Sequence, residues 1–171
     1  MMDTKNIEKQ AKKDGIERFV VGAVIINKGS ILFVRRAKDD FMGGIYELPS
    51  GKVDSGESLT EALKREVLEE TNLVIKEIVG LSDTFDYKSK SGVKTRQFNF
   101  VVLVEDVNKL RLNPEEHDLF EWIQFKDIET SEILDDMMKS IAKKALQVVK
   151  NNEHEDIVGK PHESRGGYER M

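Results

Sequence analysis

Residues 51–73 read GKVDSGESLTEALKREVLEETNL, a glycine turn running into a helical period. On a wheel of about 100° per residue with Leu59 at zero, Ala62, Leu63 and Val67 fall at about 300°, 40° and 80°, a core-facing stripe. Glu69, Glu66 and Glu70 fall at about 280°, 340° and 20°, on and beside that stripe. An amphipathic helix sends its carboxylates to the opposite side. Here three converge at i, i+3 and i+4, where like charges repel by roughly 0.2–0.5 kcal/mol per pair. A divalent cation turns that penalty into a binding site.

The flanking sequence places this helix, from near Ser58 to near Asn72, among strands. Residues 18–26 (RFVVGAVII) and 30–36 (SILFVRR) are rich in β-branched side chains and flank the turn Asn27-Lys28-Gly29, so they read as paired strands. Residues 39–44 form a loop with two glycines. Residues 45–48 make a short strand closed by Pro49 and the Ser50-Gly51 turn. Beyond the helix, residues 74–81 and 95–104 (TRQFNFVVLV) read as strands, with a turn at Ser91-Gly92 in the segment between them. Residues 119–124 (LFEWIQ) are another strand. Residues 133–149 carry Ile133, Met137, Ile141, Ala145 and Val148 at helical spacing, a second amphipathic helix. Strands on either side of one helix, with a second helix at the end, predict an α/β fold, a mixed β-sheet sandwiched between α-helices. The expected domain spans residues 16–150. A polar arm or short frayed helix (1–15) precedes it, and a polar tail (151–171) follows.

Composition bounds the function. With 171 residues the chain can bury the core of one domain. A charged content of 35% and a net charge of −5 offer no global attraction to nucleic acid or an anionic membrane. A bound cation can still reverse the field locally for a small anionic substrate. There are no cysteines, which excludes disulfides, thiolate metal sites and cysteine nucleophiles. No apolar run has the length of a membrane span, and residues 1–15 lack the apolar segment of a secretory signal, so a cytoplasmic location and no membrane partner are expected.

The spacing Gly, five residues, Glu, seven residues, Arg-Glu, two residues, Glu-Glu, carried by Gly51, Glu57, Arg65, Glu66, Glu69 and Glu70, resembles the signature of the Nudix hydrolases. Val67 and Leu73 supply its aliphatic positions, and Asn72 stands where the family usually has glycine. Asparagine is the next most tolerant residue in a left-handed helix cap, so the departure leaves the catalytic reading intact. Residues 35–51 (RRAKDDFMGGIYELPSG) resemble the approach to this motif in MutT-like members.

The resemblance implies the Nudix fold and a magnesium-dependent enzyme, with manganese as an alternate, that cuts a diphosphate linkage. It makes Glu66, Glu69 and Glu70 the metal cluster, with Glu69 and Glu70 first among direct ligands and Glu66 a ligand or the base that orients water. The main-chain carbonyl of Ser50 would add a ligand. Glu57 would bind the metal through water or hold Arg65, and Arg65 would organise the site. The family often adds an acid from a later loop; Glu116, ahead of Glu115, takes that place against the equal reading of a solvated loop.

Substrate contacts are weighed against blander roles. Arg36 is preferred over Arg35 for phosphate or ribose, with a surface charge equally expected; Lys52 inside the motif reaches a phosphate on the weak evidence of a lone lysine. Phe41 and Phe85, with Tyr46 and Tyr87 beside them, have faces suited to a base, although core packing is the default for any one aromatic. Trp122, Met137 and Met138 read as packing residues, and His117 as a solvated loop histidine. His154 and His162, in the tail, receive no role.

The function expected is hydrolysis of a nucleoside triphosphate, oxidised ones included. The alternatives are an ADP-ribose or nucleotide-sugar pyrophosphatase and a catalytically silent nucleotide-binding module. A Nudix-fold isomerase needs a cysteine that this chain lacks. RNA is disfavoured as a partner by the acidic charge, and a homodimer is compatible with the family.

Overall fold

The computed structural model describes residues 2–152. Its order is α1 (Lys5–Lys13), β1 (Arg18–Asn27), β2 (Ser30–Arg36), β3 (Tyr46–Glu47), β4 (Ser50–Lys52), α2 (Leu59–Thr71), β5 (Ile75–Lys88), β6 (Lys94–Val104), β7 (His117–Gln124) and α3 (Asp136–Asn152), with short 3₁₀ turns at Val107–Lys109 and Phe125–Asp127. The seven strands form one mixed sheet. β1 lies at its centre, parallel to β6 from Arg18↔Thr95 to Ile25↔Val102 and antiparallel to β4 at Val20–Gly22 and to β2 at Ile26 and Asn27. β2 in turn pairs with β3 and, along its whole length, with β7. The predicted sandwich is what forms.

Alternation along the central strands builds a core on each face. One face sets Val21, Ala23, Ile25, Phe98, Phe100 and Val102 against Leu59, Ala62, Leu63 and Val67 of α2. The other sets Val24, Ile26, Phe33, Val101 and Leu103 against Ile141, Ala142, Ala145 and Val149 of α3. Each large aliphatic so buried contributes about 1.5–3 kcal/mol.

The motif helix is closed at both ends by its own sequence. Ser58 and Glu61 form a reciprocal capping box, with the Ser58 hydroxyl accepting from the Glu61 N–H at 3.1 Å and the Glu61 carboxylate accepting from the Ser58 N–H at 2.9 Å. At the other end Asn72 adopts the left-handed conformation (φ 63°, ψ 17°) and its side-chain amide donates to the Lys109 carbonyl at 3.0 Å. Asparagine thus does the work of the family's glycine at a conformation it tolerates.

Three elements differ from the sequence reading. The segment after residue 81 continues as strand to Lys88, and β5 and β6 form one long hairpin around the Ser89–Gly92 turn. Register shifts at Ile75/Glu77, Ile78/Gly80 and Leu81/Asp83 fall in the half read as strand, whereas the outer half pairs regularly but is polar and largely exposed, which is why it lacked a strand signature. α3 begins at Asp136 because the Asp135 carboxylate accepts the Met138 N–H at 2.8 Å, leaving Ile133 exposed before the helix and Met137 exposed on it. Residues 5–13, read as an arm or frayed helix, form a docked one: Ala11 is fully buried, and Met2, Ile7 and Ile16 pack on the α2-side core. Most of the expected C-terminal tail, His154 and His162 included, lies outside the described residues.

Candidate active site

β4 delivers the chain to the start of α2, and the site is built where the two meet. Gly51 has no side chain, and a Cβ there would run into the carboxylate of Glu66, so glycine is what lets that carboxylate lie against the strand. One residue earlier, the Ser50 N–H donates to Glu70 Oε1 at 3.1 Å. That contact uses the amide of Ser50, whose carbonyl was the expected metal ligand.

Arg65 ties the motif together. Its Nε donates to Glu57 Oε2 at 2.6 Å and its Nη2 to Glu57 Oε1 at 2.9 Å. Nη1 reaches Glu66 Oε2 at 2.8 Å and Glu69 Oε1 at 3.3 Å, and Nη2 also donates to the Lys52 carbonyl at 3.0 Å. This fork–fork pairing holds the Glu57 carboxyl down to about 2. It also raises the already high pKa of the guanidinium, chiefly through Glu57. The arginine therefore clamps the 52–57 loop to α2.

The carboxylates on the sheet side are in a different state. Glu70 is only 5% exposed. Burial pushes its carboxyl up to about 9; the Ser50 N–H opposes this, while Glu116, Glu66 and Glu47 add to it. Burial likewise raises Glu66, against the pull of Arg65. Glu69 stays exposed at the rim. Ligand atoms of Glu70, Glu116 and His117 all lie within 4.8 Å of one another. A buried carboxyl with one backbone donor and further carboxylates around it suits a divalent cation, whose charge reverses the local penalty. Glu70, Glu116 and His117 form a group that could hold one, with Glu66 close enough to raise the Glu70 carboxyl further.

The residues offered for substrate contact are more scattered. Arg36 is already engaged, Nε donating to the Phe41 carbonyl at 2.7 Å and Nη1 to both Glu47 oxygens at 3.2 Å. Arg35 is paired with both oxygens of Asp118. Lys52 is exposed and lines a groove of about 570 Å³ with Glu8, Lys12, Arg18 and Glu57, on the α1 side of the motif loop. Phe41 is 57% exposed, with Lys90 Nζ 3.9 Å from its ring centre, so the 37–44 loop and the β5–β6 turn meet there. Phe85 packs on the α3-side core with Tyr46 and lies 5.9 Å from the Tyr87 ring. Trp122 packs against the α2-side core as expected.

Two site residues escaped the sequence. His117 is not a solvated loop residue; it opens β7, is 3% exposed, and its Nε2 lies 2.9 Å from Glu47 Oε2. Glu47 carried no periodic signal because its strand is two residues long. Its only sequence cue was position, three residues before the motif turn.

Comparison with known proteins identifies the family. The family model described as NUDIX domain matches residues 17–148. The chain is 30% identical over 129 residues to an 8-oxo-dGTP diphosphatase from Buchnera aphidicola, covering 71% of this chain and 94% of that protein. It is 32% identical over 158 residues to an RNA pyrophosphohydrolase from Ruthia magnifica, covering 78% and 84%. A further stretch of 56 residues is 46% identical to a longer protein from Danio rerio, of which the chain covers only 17%. Among solved structures, a MutT protein from Methanosarcina mazei superposes with a TM-score of 0.61 at 27% identity, covering 80% of this chain and 96% of that one. The family model over most of the chain and the near full-length relative show that the chain belongs to the Nudix family of pyrophosphate-cleaving hydrolases.

Proposed function

We propose that the protein is a magnesium-dependent pyrophosphohydrolase of nucleoside triphosphates, oxidised ones included, with manganese as an alternate ion. The observation that carries this is the buried Glu70 carboxyl at the β4–α2 junction, with ligand atoms of Glu116 and His117 within 4.8 Å and Glu66 held against Gly51 beside it. The MutT-like approach to the motif and the near full-length likeness to a protein named 8-oxo-dGTP diphosphatase support the substrate class.

When bound, the ion neutralises the diphosphate and lowers the pKa of a coordinated water. The protein's part is preorganisation. The Ser50 N–H orients Glu70, and Gly51 admits Glu66. Arg65 fixes one oxygen of Glu66 and leaves the other to orient the attacking water. Glu57, fully engaged by Arg65, is a positioning residue, and Glu69 joins the ligand set from the rim. Phe41, on the exposed loop, is the aromatic best placed to meet a base, whereas Phe85 and Arg36 serve the walls. Lys52 faces the groove beside α1, where a phosphate tail could reach it. The same reading puts the enzyme with the nucleotide pool of the cytoplasm and is compatible with a homodimer, which light scattering on the purified chain tests.

The experiment is a nucleotide panel at alkaline pH with Mg²⁺ or Mn²⁺ and identification of products. A nucleoside monophosphate with pyrophosphate from a triphosphate is the expected result. AMP with ribose phosphate from ADP-ribose transfers the reading to the nucleotide-sugar branch. No product from any compound overturns the enzyme in favour of a silent binding module.

A further inference from the structure

The described residues hold one buried side-chain polar atom without a hydrogen-bond partner, Nδ1 of His117. A bare ring nitrogen in a buried position is costly unless something fills it. Its surroundings say what. Glu47 accepts the Arg36 guanidinium on both oxygens at 3.2 Å, and we read the 2.9 Å contact as His117 Nε2–H donating to the same carboxylate. That bond fixes the tautomer and leaves the Nδ1 lone pair free. A ring nitrogen of the same residue shares the 4.8 Å cluster with carboxylate oxygens of Glu70 and Glu116. A register shift between Arg35 and Arg36 in the β2–β7 ladder sets the facing of this residue, since Arg36 pairs with His117 and Arg35 with Leu119. A carboxylate that holds one imidazole nitrogen and leaves the other unpartnered is the arrangement by which proteins orient a metal-binding histidine.

We propose that His117 is a nitrogen ligand of the divalent ion held by Glu70 and Glu116, with Glu47 as its positioning carboxylate. The proposal rests on the reading that these carboxylates hold the catalytic ion and adds a donor of a different chemical kind. Magnesium prefers an all-oxygen shell, whereas imidazole suits manganese, cobalt and zinc. The nitrogen donor therefore adds affinity for manganese beside magnesium, a gain that carboxylates alone do not give.

The test uses the full chain without a histidine tag, stripped of metal and loaded with one equivalent of Mn²⁺. Pulsed electron paramagnetic resonance then reads nitrogen coupled to the ion. The expected spectrum shows a directly bound imidazole ¹⁴N that becomes ¹⁵N in protein grown on ¹⁵N-histidine. The coupling persists in a His154→Asn, His162→Asn double variant and is absent from His117→Gln, where Mn²⁺ affinity falls at least about tenfold and Mg²⁺ affinity changes by less than about threefold. Glu47→Gln keeps the coupling and weakens Mn²⁺ by about tenfold. The labelled wild-type spectrum needs no variant, so the test survives a poorly folded His117→Gln. Mn²⁺ that is bound, is lost in Glu70→Gln, and shows no histidine nitrogen overturns the proposal while hydrolysis by the panel stands. Absence of both Mn²⁺ binding and hydrolysis overturns the underlying site as well.

Discussion

Helices α2 and α3 cover opposite faces of one sheet and are built on different terms. α3 buries Ile141, Ala142, Ala145 and Val149 and nothing polar, its lysines turned outward. α2 buries Leu59, Ala62, Leu63 and Val67 but also carries Glu70 inward, with Glu66 half-buried beside it. Burial of an unpaired carboxyl costs stability, and α2 offsets it by local means: the Ser58–Glu61 capping box, Glu8 of α1 accepting the Leu59 N–H at 3.3 Å, the Arg65 clamp and the left-handed Asn72 cap. The contrast separates a helix buried by apolar packing alone from one that also carries a carboxyl into the buried face.

Replacing Glu70 breaks that contrast most directly. With metal present, Glu70→Gln should lower kcat by about a thousandfold, since it removes a buried donor to the ion. Without metal the sign reverses. The native carboxyl titrates near 9 and the unfolded one near 4.5, so the native state holds a proton that the unfolded chain has released. Metal-free wild type should lose stability as pH rises from about 4.5 to 9, and Glu70→Gln should flatten the profile. Thermal unfolding against pH in a chelating buffer checks this; a flat wild-type curve would mean that α2 carries no buried charge penalty.

On α3 the expectation is the opposite. Ile141→Ala should cost about 2–5 kcal/mol in urea unfolding and leave kcat per folded molecule unchanged. A loss of kcat would show that the two faces are coupled. Gly51→Ala should displace Glu66 and cost on the order of a hundredfold in kcat with little change in KM, read by steady-state kinetics. Asn72→Gly is the mildest test. It relieves a left-handed residue but removes the bond to Lys109, so stability should shift by no more than about 0.5 kcal/mol in thermal unfolding.

Both helices were legible because a 3.6-residue period survives in sequence whatever it packs against. The α2 carboxylates stood out for the same reason, on the wrong side of a readable wheel. The outer half of the β5–β6 hairpin read as loop because its residues are polar and mostly exposed, although it pairs in regular register. The Asp86–Arg96 pair that holds it, at 2.7 Å, is a cross-strand contact that no local pattern reports. α1 was hidden by its charge, for a nine-residue helix with few apolar positions has no strong signature until a neighbour buries Ala11.

The site divides in the same way. Helical spacing singled out Glu66, Glu69 and Glu70, and resemblance to the family signature added Gly51, Glu57 and Arg65 on the same turn and helix. Glu116 was reachable from sequence only through resemblance. Glu47 and His117 come from strands β3 and β7 on either edge of β2, 70 positions apart in the chain. Only the assembled sheet brings them together, since hydrogen-bond register between strands is a property of the tertiary structure and leaves no periodic trace in either segment alone.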